Sequence, residues 1–267
     1  MTRVHGGLTY SALRGFRPLL LDLHRPAGDA PAPVVVWVHG GGFQWGDRRY
    51  LPETLEPGSL WTALTEAGVA VATVDYRLSG EARFPAQLAD LAAALGYLRE
   101  HAGELGLDAG RIALAGESAG ATLAVLAAFA DRAAQAAAGG TEAAGGVAAV
   151  ACWYPITDMT VRHADRDDSP EANLLGGRPV DLPELAALGS PVAQVPADPP
   201  PFLLLHGTED TMVPSTHSER LHEALLKVGG RAQLRLVPGA DHIFAGYDDV
   251  PALVAQTVRF LADELGS

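Results

Sequence analysis

One cysteine, Cys152, stands among 267 residues, so no internal disulfide can form. It lies in the strand-like run Val147-Ala148-Ala149-Val150-Ala151-Cys152-Trp153-Tyr154, where a small buried hydrophobe is expected rather than a reactive thiol. Cations are scarce: 19 Lys and Arg face 32 Asp and Glu, a formal net charge of −13. Phosphate binding needs clustered Lys and Arg, so neither nucleic acid nor an anionic lipid surface is an expected partner. Long apolar runs are missing too. No stretch approaches the roughly 20 residues of a membrane-spanning helix. The opening Met1-Thr2-Arg3-Val4-His5-Gly6-Gly7 lacks the apolar block of a secretory signal, and a cytoplasmic protein without a membrane anchor is the expectation. No phosphate-cradling Gly-x-x-x-x-Gly-Lys or Gly-x-Gly-x-x-Gly falls at a strand–helix turn. Asp158, His163, Asp165, Asp167 and Asp168 lack metal-ligand spacing such as His-x-x-x-His and read as a solvated acidic loop, so neither metal nor cofactor is expected.

What is present describes one globular unit. With 48% hydrophobic and 19% charged residues, a chain of this length buries roughly three quarters of its unfolded surface. No composition break argues for a cut, and residues 1–267 are expected to form a single domain. Apolar β-rich runs alternate with helical patterns, the signature of an α/β fold with a mostly parallel sheet covered on both faces. The runs are Leu19 to Leu23, Val34 to His39, Val69 to Tyr76, Arg111 to Ala115, Val147 to Tyr154, Phe202 to His206 and Gln233 to Val237. Helices are expected at Leu60 to Glu66, Pro85 to Ala102, Ala119 to Arg132, Thr216 to Val228 and Val250 to Glu264. In the second of these, Leu88, Leu91, Leu95 and Leu98 recur at threes and fours and form one apolar stripe. The Ala/Gly-rich segment from Ala133 to Gly146 reads as a surface loop or helix tail. The irregular, proline-bearing stretch over residues 156–200 reads as a lid-like insertion, because it follows a central strand.

The chemistry gathers around Gly116-Glu117-Ser118-Ala119-Gly120, set between a strand-like and a helix-like run. A Gly-x-Ser-x-Gly in that setting describes a sharp turn that lifts one hydroxyl clear of the backbone, with Ser118 as nucleophile. The flanking glycines suit a strained turn, and a side chain there would collide with neighbouring elements. A serine hydroxyl needs a base to take its proton, and the base needs a partner that fixes its tautomer. Asp210 and His242 each follow a strand by a short turn, at the carboxyl ends where the turn carrying Ser118 also lies, and are the candidates for that partner and that base. Glu209 and Asp241 adjoin them and compete for the acid's place. His206, at a strand end, reads as a packing or loop-bonding residue, and His101, His217 and His222 as ordinary helix residues. After the strand ending at Val38 comes His39-Gly40-Gly41-Gly42. Consecutive glycines let backbone N–H groups converge on an oxyanion, an effect worth roughly 3 kcal/mol per donor. Gly41, Gly42 and Ala119 are the expected donors, with His39 tying the loop down.

Taken together, several stretches carry a resemblance. They are His39-Gly40-Gly41-Gly42-Phe43-Gln44-Trp45-Gly46-Asp47, Asp75-Tyr76-Arg77-Leu78, Phe84-Pro85-Ala86-Gln87-Leu88-Ala89-Asp90 and Gly116-Glu117-Ser118-Ala119-Gly120. Ser190-Pro191-Val192, Pro200-Pro201-Phe202-Leu203-Leu204-Leu205-His206-Gly207 and Gly239-Ala240-Asp241-His242 complete the set. From about Leu19 onward the chain resembles the α/β-hydrolase superfamily, in its bacterial esterase/lipase branch akin to hormone-sensitive lipase and the BD-FAE, feruloyl-esterase-like group. The resemblance implies Ser118, Asp210 and His242 as a catalytic triad, Gly41, Gly42 and Ala119 as its oxyanion hole, and Asp75-Tyr76-Arg77 as structural. It implies a serine carboxylic ester hydrolase that works through an acyl-enzyme on small-molecule, short-acyl esters. Ala121 departs from the pattern, standing where these families often place another glycine. The long N-terminal cap of the hormone-sensitive-lipase type is also missing, which argues against long acyl chains. The alternatives are a formamide or amide hydrolase of the kynurenine formamidase type, and a non-catalytic binding protein on the same fold. Exposed apolar helix surfaces leave a homodimer open.

Overall fold

The computed structural model describes residues 2–137 and 146–267. The apolar runs become strands: β1 (Arg3–Ser11), β2 (Leu19–Arg25), β3 (Ala32–Val38), β4 (Ala70–Val74), β5 (Leu107–Glu117), β6 (Val150–Trp153), β7 (Phe202–Gly207) and β8 (Ala232–Val237). They form one sheet in the spatial order β1-β2-β4-β3-β5-β6-β7-β8. The pairs β1/β2 and β2/β4 are antiparallel and the remaining pairs parallel.

Continuous burial explains the parallel strands. In β3, Val34, Val36 and Val38 face one layer while Val35 and Trp37 face the other. The first layer is closed by α2 (Ala86–Glu100) and α4 (Ser118–Ala137), through Leu91, Leu95, Leu98, Leu123 and Val125. The second is closed by α1 (Ser59–Glu66) and α8 (Val250–Leu265), through Leu60, Leu64, Leu253, Val254 and Leu261. Trp153 donates its indole N–H to Thr257 at 3.0 Å and so fastens α8 to β6. The four-residue α3 (Ala102–Leu105) follows a turn at His101, so the helix expected as far as Ala102 breaks there. On the first layer, α7 (Thr216–Lys227) buries Leu221 and Leu225.

Two features depart from the reading of the sequence. The edge strand β1 is mostly exposed, with no apolar run to betray it. The stretch over residues 156–200 is more regular than expected: it carries α5 (Pro170–Leu175), α6 (Pro183–Leu188) and two 3-10 turns. The stretch from Ala133 to Gly146 divides: residues through Ala137 extend α4, and 138–145 lie outside the described residues. Among the described residues no helix is long and apolar enough to cross a membrane.

The order of the strands places the site. The chain runs from β3 to β4 on one side, then returns to pair β5 against the other side of β3. The carboxyl ends of β3 and β5 therefore flank the point where the winding reverses, which in open α/β sheets leaves a crevice. The loop from His39 and the turn at Ser118 both open there.

Candidate active site

Ser118 follows the last residue of β5 directly and opens α4. Its φ is +51°, a left-handed conformation that a serine adopts only when its surroundings impose it. The strain falls on Ser118 itself; Gly116 and Gly120 have no positive φ. Their glycine character answers to close packing instead. A Cβ on Gly120 would overlap the carbonyl oxygens of Val38 and His39. The turn thus presses α4 onto the end of β3, and the serine hydroxyl is left at the crevice.

His242 arrives from the far edge of the sheet, on a 3-10 turn (His242–Phe244) after β8. Its Nε2 lies 3.1 Å from Ser118 Oγ, and its Nδ1 lies 2.8 Å from Asp210 Oδ2. An ionised carboxylate only accepts, so Nδ1 carries the hydrogen and Nε2 is free to accept the serine proton. The imidazole is steadied by the Tyr154 ring, 4.7 Å away, which in turn packs edge-on against Phe244.

Asp210 sits four residues beyond His206, past the end of β7. Its Oδ1 accepts the N–H groups of Met212 at 3.0 Å and Val213 at 2.7 Å. Burial alone would raise its pKa, but hydrogen bonds from His206 and His242 hold it well below the usual carboxylate range. The competing acids go elsewhere. Glu209 is exposed, and Asp241 accepts the N–H groups of Thr211 and of His242, at 2.8 and 2.7 Å.

The glycine loop approaches from the end of β3. Gly41 has φ +94°, and a Cβ there would overlap the carbonyl of Trp45, so only glycine closes this turn. Gln44 and Trp45 both donate their N–H to the Gly41 carbonyl. Among the described residues the N–H groups of Gly41 and Gly42 make no hydrogen bond, which leaves them as donors. His39 is buried against Tyr76, rings stacked 4.4 Å apart, and burial lowers its pKa to about 4. It is a neutral prop under the loop.

Two residues that the sequence did not single out complete the floor. Glu117 is fully buried and accepts the Gly40 N–H at 2.5 Å, tying the glycine loop to the serine turn. Burial pushes its carboxyl up to about 7. Tyr154, φ +41°, sets its buried hydroxyl beside that carboxyl. Glu117 is the variable position of Gly-x-Ser-x-Gly and Tyr154 follows β6, so neither has a motif to announce it. Cys152 is buried and its thiol pKa is raised by desolvation, as its apolar run implied.

Outside the loop a polar cavity of about 590 Å³ is lined by Gln44, Ser79, Arg83, Asp167 and Asn173, among others. Ser118 is not part of its wall, and its Ser79 donates its N–H to the Phe43 carbonyl at 2.7 Å. A Cβ added at Gly42 would come into ordinary contact with Pro170 of α5.

Comparison with known proteins agrees with this architecture. The model of the BD-FAE family matches residues 21–225. The esterase LipQ of Mycobacterium tuberculosis is 33% identical over 238 residues, covering 86% of this chain and 55% of LipQ. Ethyl acetate hydrolase of Pseudomonas putida is 32% identical over 244 residues, covering 85% of this chain and 71% of that enzyme. The chain spans about half the length of the mycobacterial relatives LipQ and LipC, 55% and 53%. Among solved structures, a truncated form of a carbohydrate esterase from gut microbiota superposes with a TM-score of 0.82. That match covers 99% of this chain and 97% of the other, at 24% identity, and speaks for the fold. With a family model matched across most of its length and this sheet order, the chain belongs to the BD-FAE family and has the α/β-hydrolase fold.

Proposed function

We propose that the chain is a serine carboxylesterase that cleaves small, short-acyl esters through an acyl-enzyme. The observation that carries this reading is the unbroken run of contacts from Ser118 Oγ to His242 Nε2 at 3.1 Å and from His242 Nδ1 to Asp210 Oδ2 at 2.8 Å. In this reading Ser118 attacks the ester carbonyl carbon as His242 takes its proton. The carbonyl oxygen, now anionic, is held by the N–H groups of Gly41, Gly42 and Ala119. His242 passes the proton to the departing alkoxide, and the acyl group stays on Ser118. A water molecule, deprotonated by His242, then releases the acid and restores the serine. Asp210 keeps the imidazole in the Nδ1–H form and offsets its charge while it is protonated.

The names of the relatives, an esterase and an ethyl acetate hydrolase, support ester substrates of small size. Residues 1–267 then act as one catalytic unit, with residues 156–200 as a partial lid whose helices α5 and α6 are short. Hydrolysis of p-nitrophenyl esters from acetate to palmitate tests the reading. Highest kcat/KM on the shortest chains is expected, together with loss of turnover in Ser118→Ala. Preference for palmitate would overturn the size argument. Faster turnover of N-formylkynurenine than of any simple ester would overturn the ester assignment.

A further inference from the structure

We infer that His206 is a positioning residue for Asp210: its ring, fixed by the Ser218 hydroxyl, braces the carboxylate that orients His242. This rests on the reading of Ser118, His242 and Asp210 as a working triad. His206 ends the apolar run of β7, and the turn through Gly207, Thr208 and Glu209 folds Asp210 back over it. Its Nε2 comes within 3.3 Å of Asp210 Oδ2 and 2.8 Å of the Val213 carbonyl oxygen. Both neighbours only accept, so Nε2 carries the hydrogen, which it gives to the Val213 carbonyl while the Asp210 carboxylate lies against the same N–H. With the hydrogen on Nε2 alone, Nδ1, 2.7 Å from Ser218 Oγ, accepts the serine O–H. The ring is 0% exposed, so this arrangement is sealed from bulk water.

The carboxylate of Asp210 is likewise completely buried, and it offers about four acceptor positions. Met212 and Val213 N–H groups take one oxygen, and the rings of His242 and His206 meet the other. A chain of side chains therefore runs from Ser118 through His242, Asp210 and His206 to Ser218, from the crevice into α7. Removing the last ring donor would leave Oδ2 held by His242 alone, in a place with no water to replace the loss. The next titratable neighbour, His217, accepts the Thr157 N–H through Nδ1 at 3.1 Å. Burial lowers its pKa to about 4, so it brings no charge to His206 at neutral pH. The bond to the Val213 carbonyl holds Nε2 beside the acid, since Val213 also gives its own N–H to Asp210 Oδ1.

Three variants separate positioning from packing. His206→Phe keeps the ring volume and removes both nitrogens, His206→Gln keeps a donor amide, and Ser218→Ala removes only the hydroxyl that holds Nδ1. For each, p-nitrophenyl acetate turnover is measured per active site, with sites counted by stoichiometric reaction with a fluorophosphonate. The far-downfield proton resonance of the His242 Nδ1–H is recorded alongside. In His206→Phe, kcat per site is expected to fall roughly 10- to 100-fold at unchanged KM, the worth of a hydrogen bond to a charged group. The downfield resonance is expected to move with it. His206→Gln should recover most of the loss and Ser218→Ala should fall between. Wild-type kcat per site in both His206→Phe and Ser218→Ala would overturn the inference, as would equal losses in the Gln and Phe variants. Should the Phe variant fail to fold, Ser218→Ala and His206→Gln still decide. Wild-type protein that takes up no fluorophosphonate would remove the triad reading, and that outcome is told apart by the unlabelled serine.

Discussion

Ser118 holds a φ of +51° and Tyr154 one of +41°, and both side chains meet His242. Each such conformation stores about 1–3 kcal/mol, which the packed ends of β3, β5 and β6 supply. Glu117 adds a second kind of stored cost. Its folded carboxyl binds a proton up to about pH 7, against an ordinary value of 4.5. Folding therefore takes up a proton between those values. The contribution of this group to stability is fully present below pH 4.5 and is lost as the pH rises through 7, by roughly 3 kcal/mol. Glu117→Gln retains an oxygen for the Gly40 N–H and carries no charge. Its melting temperature is expected to exceed that of the wild type by a margin that grows from pH 5 to pH 7.5, measured by calorimetry. A margin that is absent or shrinks over that range would contradict the burial of a charge at this position. Asp210→Asn tests the acid at the same scale. It keeps the shape of the side chain but favours the wrong imidazole tautomer, and kcat on p-nitrophenyl acetate should drop about 10⁴-fold with little change in KM. A loss of less than tenfold would mean that another group orients His242.

Among the elements, Arg162 joins two parts of the site that are far apart in sequence. It donates to the Met212 carbonyl beside Asp210 at 2.6 Å and to Glu171 of α5 at 2.6 Å. Glu171 is 0% exposed, so removing its partner strands a buried charge at about 3–5 kcal/mol. Arg162→Ala is expected to loosen the region 156–200, seen as faster tryptic cleavage there than in the wild type, at unchanged cleavage elsewhere. Equal protection of that region would show that the ion pair does not hold it. Gly120→Ala should fail more completely. With the new Cβ set against two strand-end carbonyls, a loss of about 3 kcal/mol or more is expected in chemical denaturation.

The elements also show what a single sequence can reveal. The strands β3, β4 and β7 were legible because burial on both faces demands unbroken apolar residues, as in Val34-Val35-Val36-Trp37-Val38. Strand β1 was not, because an exposed edge places no such demand on its residues. The helices α5 and α6 span six residues each, too few for a 3.6-residue period to show. Ser118 could be picked out from Gly-x-Ser-x-Gly at a strand–helix junction, and Asp210 and His242 because each follows a strand by a short turn. Glu117, Tyr154 and His206 could not be placed at the site, since their meeting depends on the lateral order of β5, β6 and β7, which no local pattern encodes.

For the whole molecule, the sheet brings loops from four strand ends to one crevice. The glycine loop comes from β3, the serine from β5, the acid from β7 and the histidine from β8. The fold holds these ends rigidly because α8 on one layer, and α2 with α4 on the other, bury both faces of the sheet. The central claim, that Ser118 becomes covalently acylated in turnover, is tested most directly by trapping the intermediate. The protein is mixed with excess p-nitrophenyl acetate, quenched in acid within the first turnover, and its peptides are mapped by mass spectrometry. One acetyl group on Ser118 is expected, accompanied by a stoichiometric burst of p-nitrophenol and absent from Ser118→Ala. Steady hydrolysis with Ser118 unmodified, or an equal rate in Ser118→Ala, would contradict it.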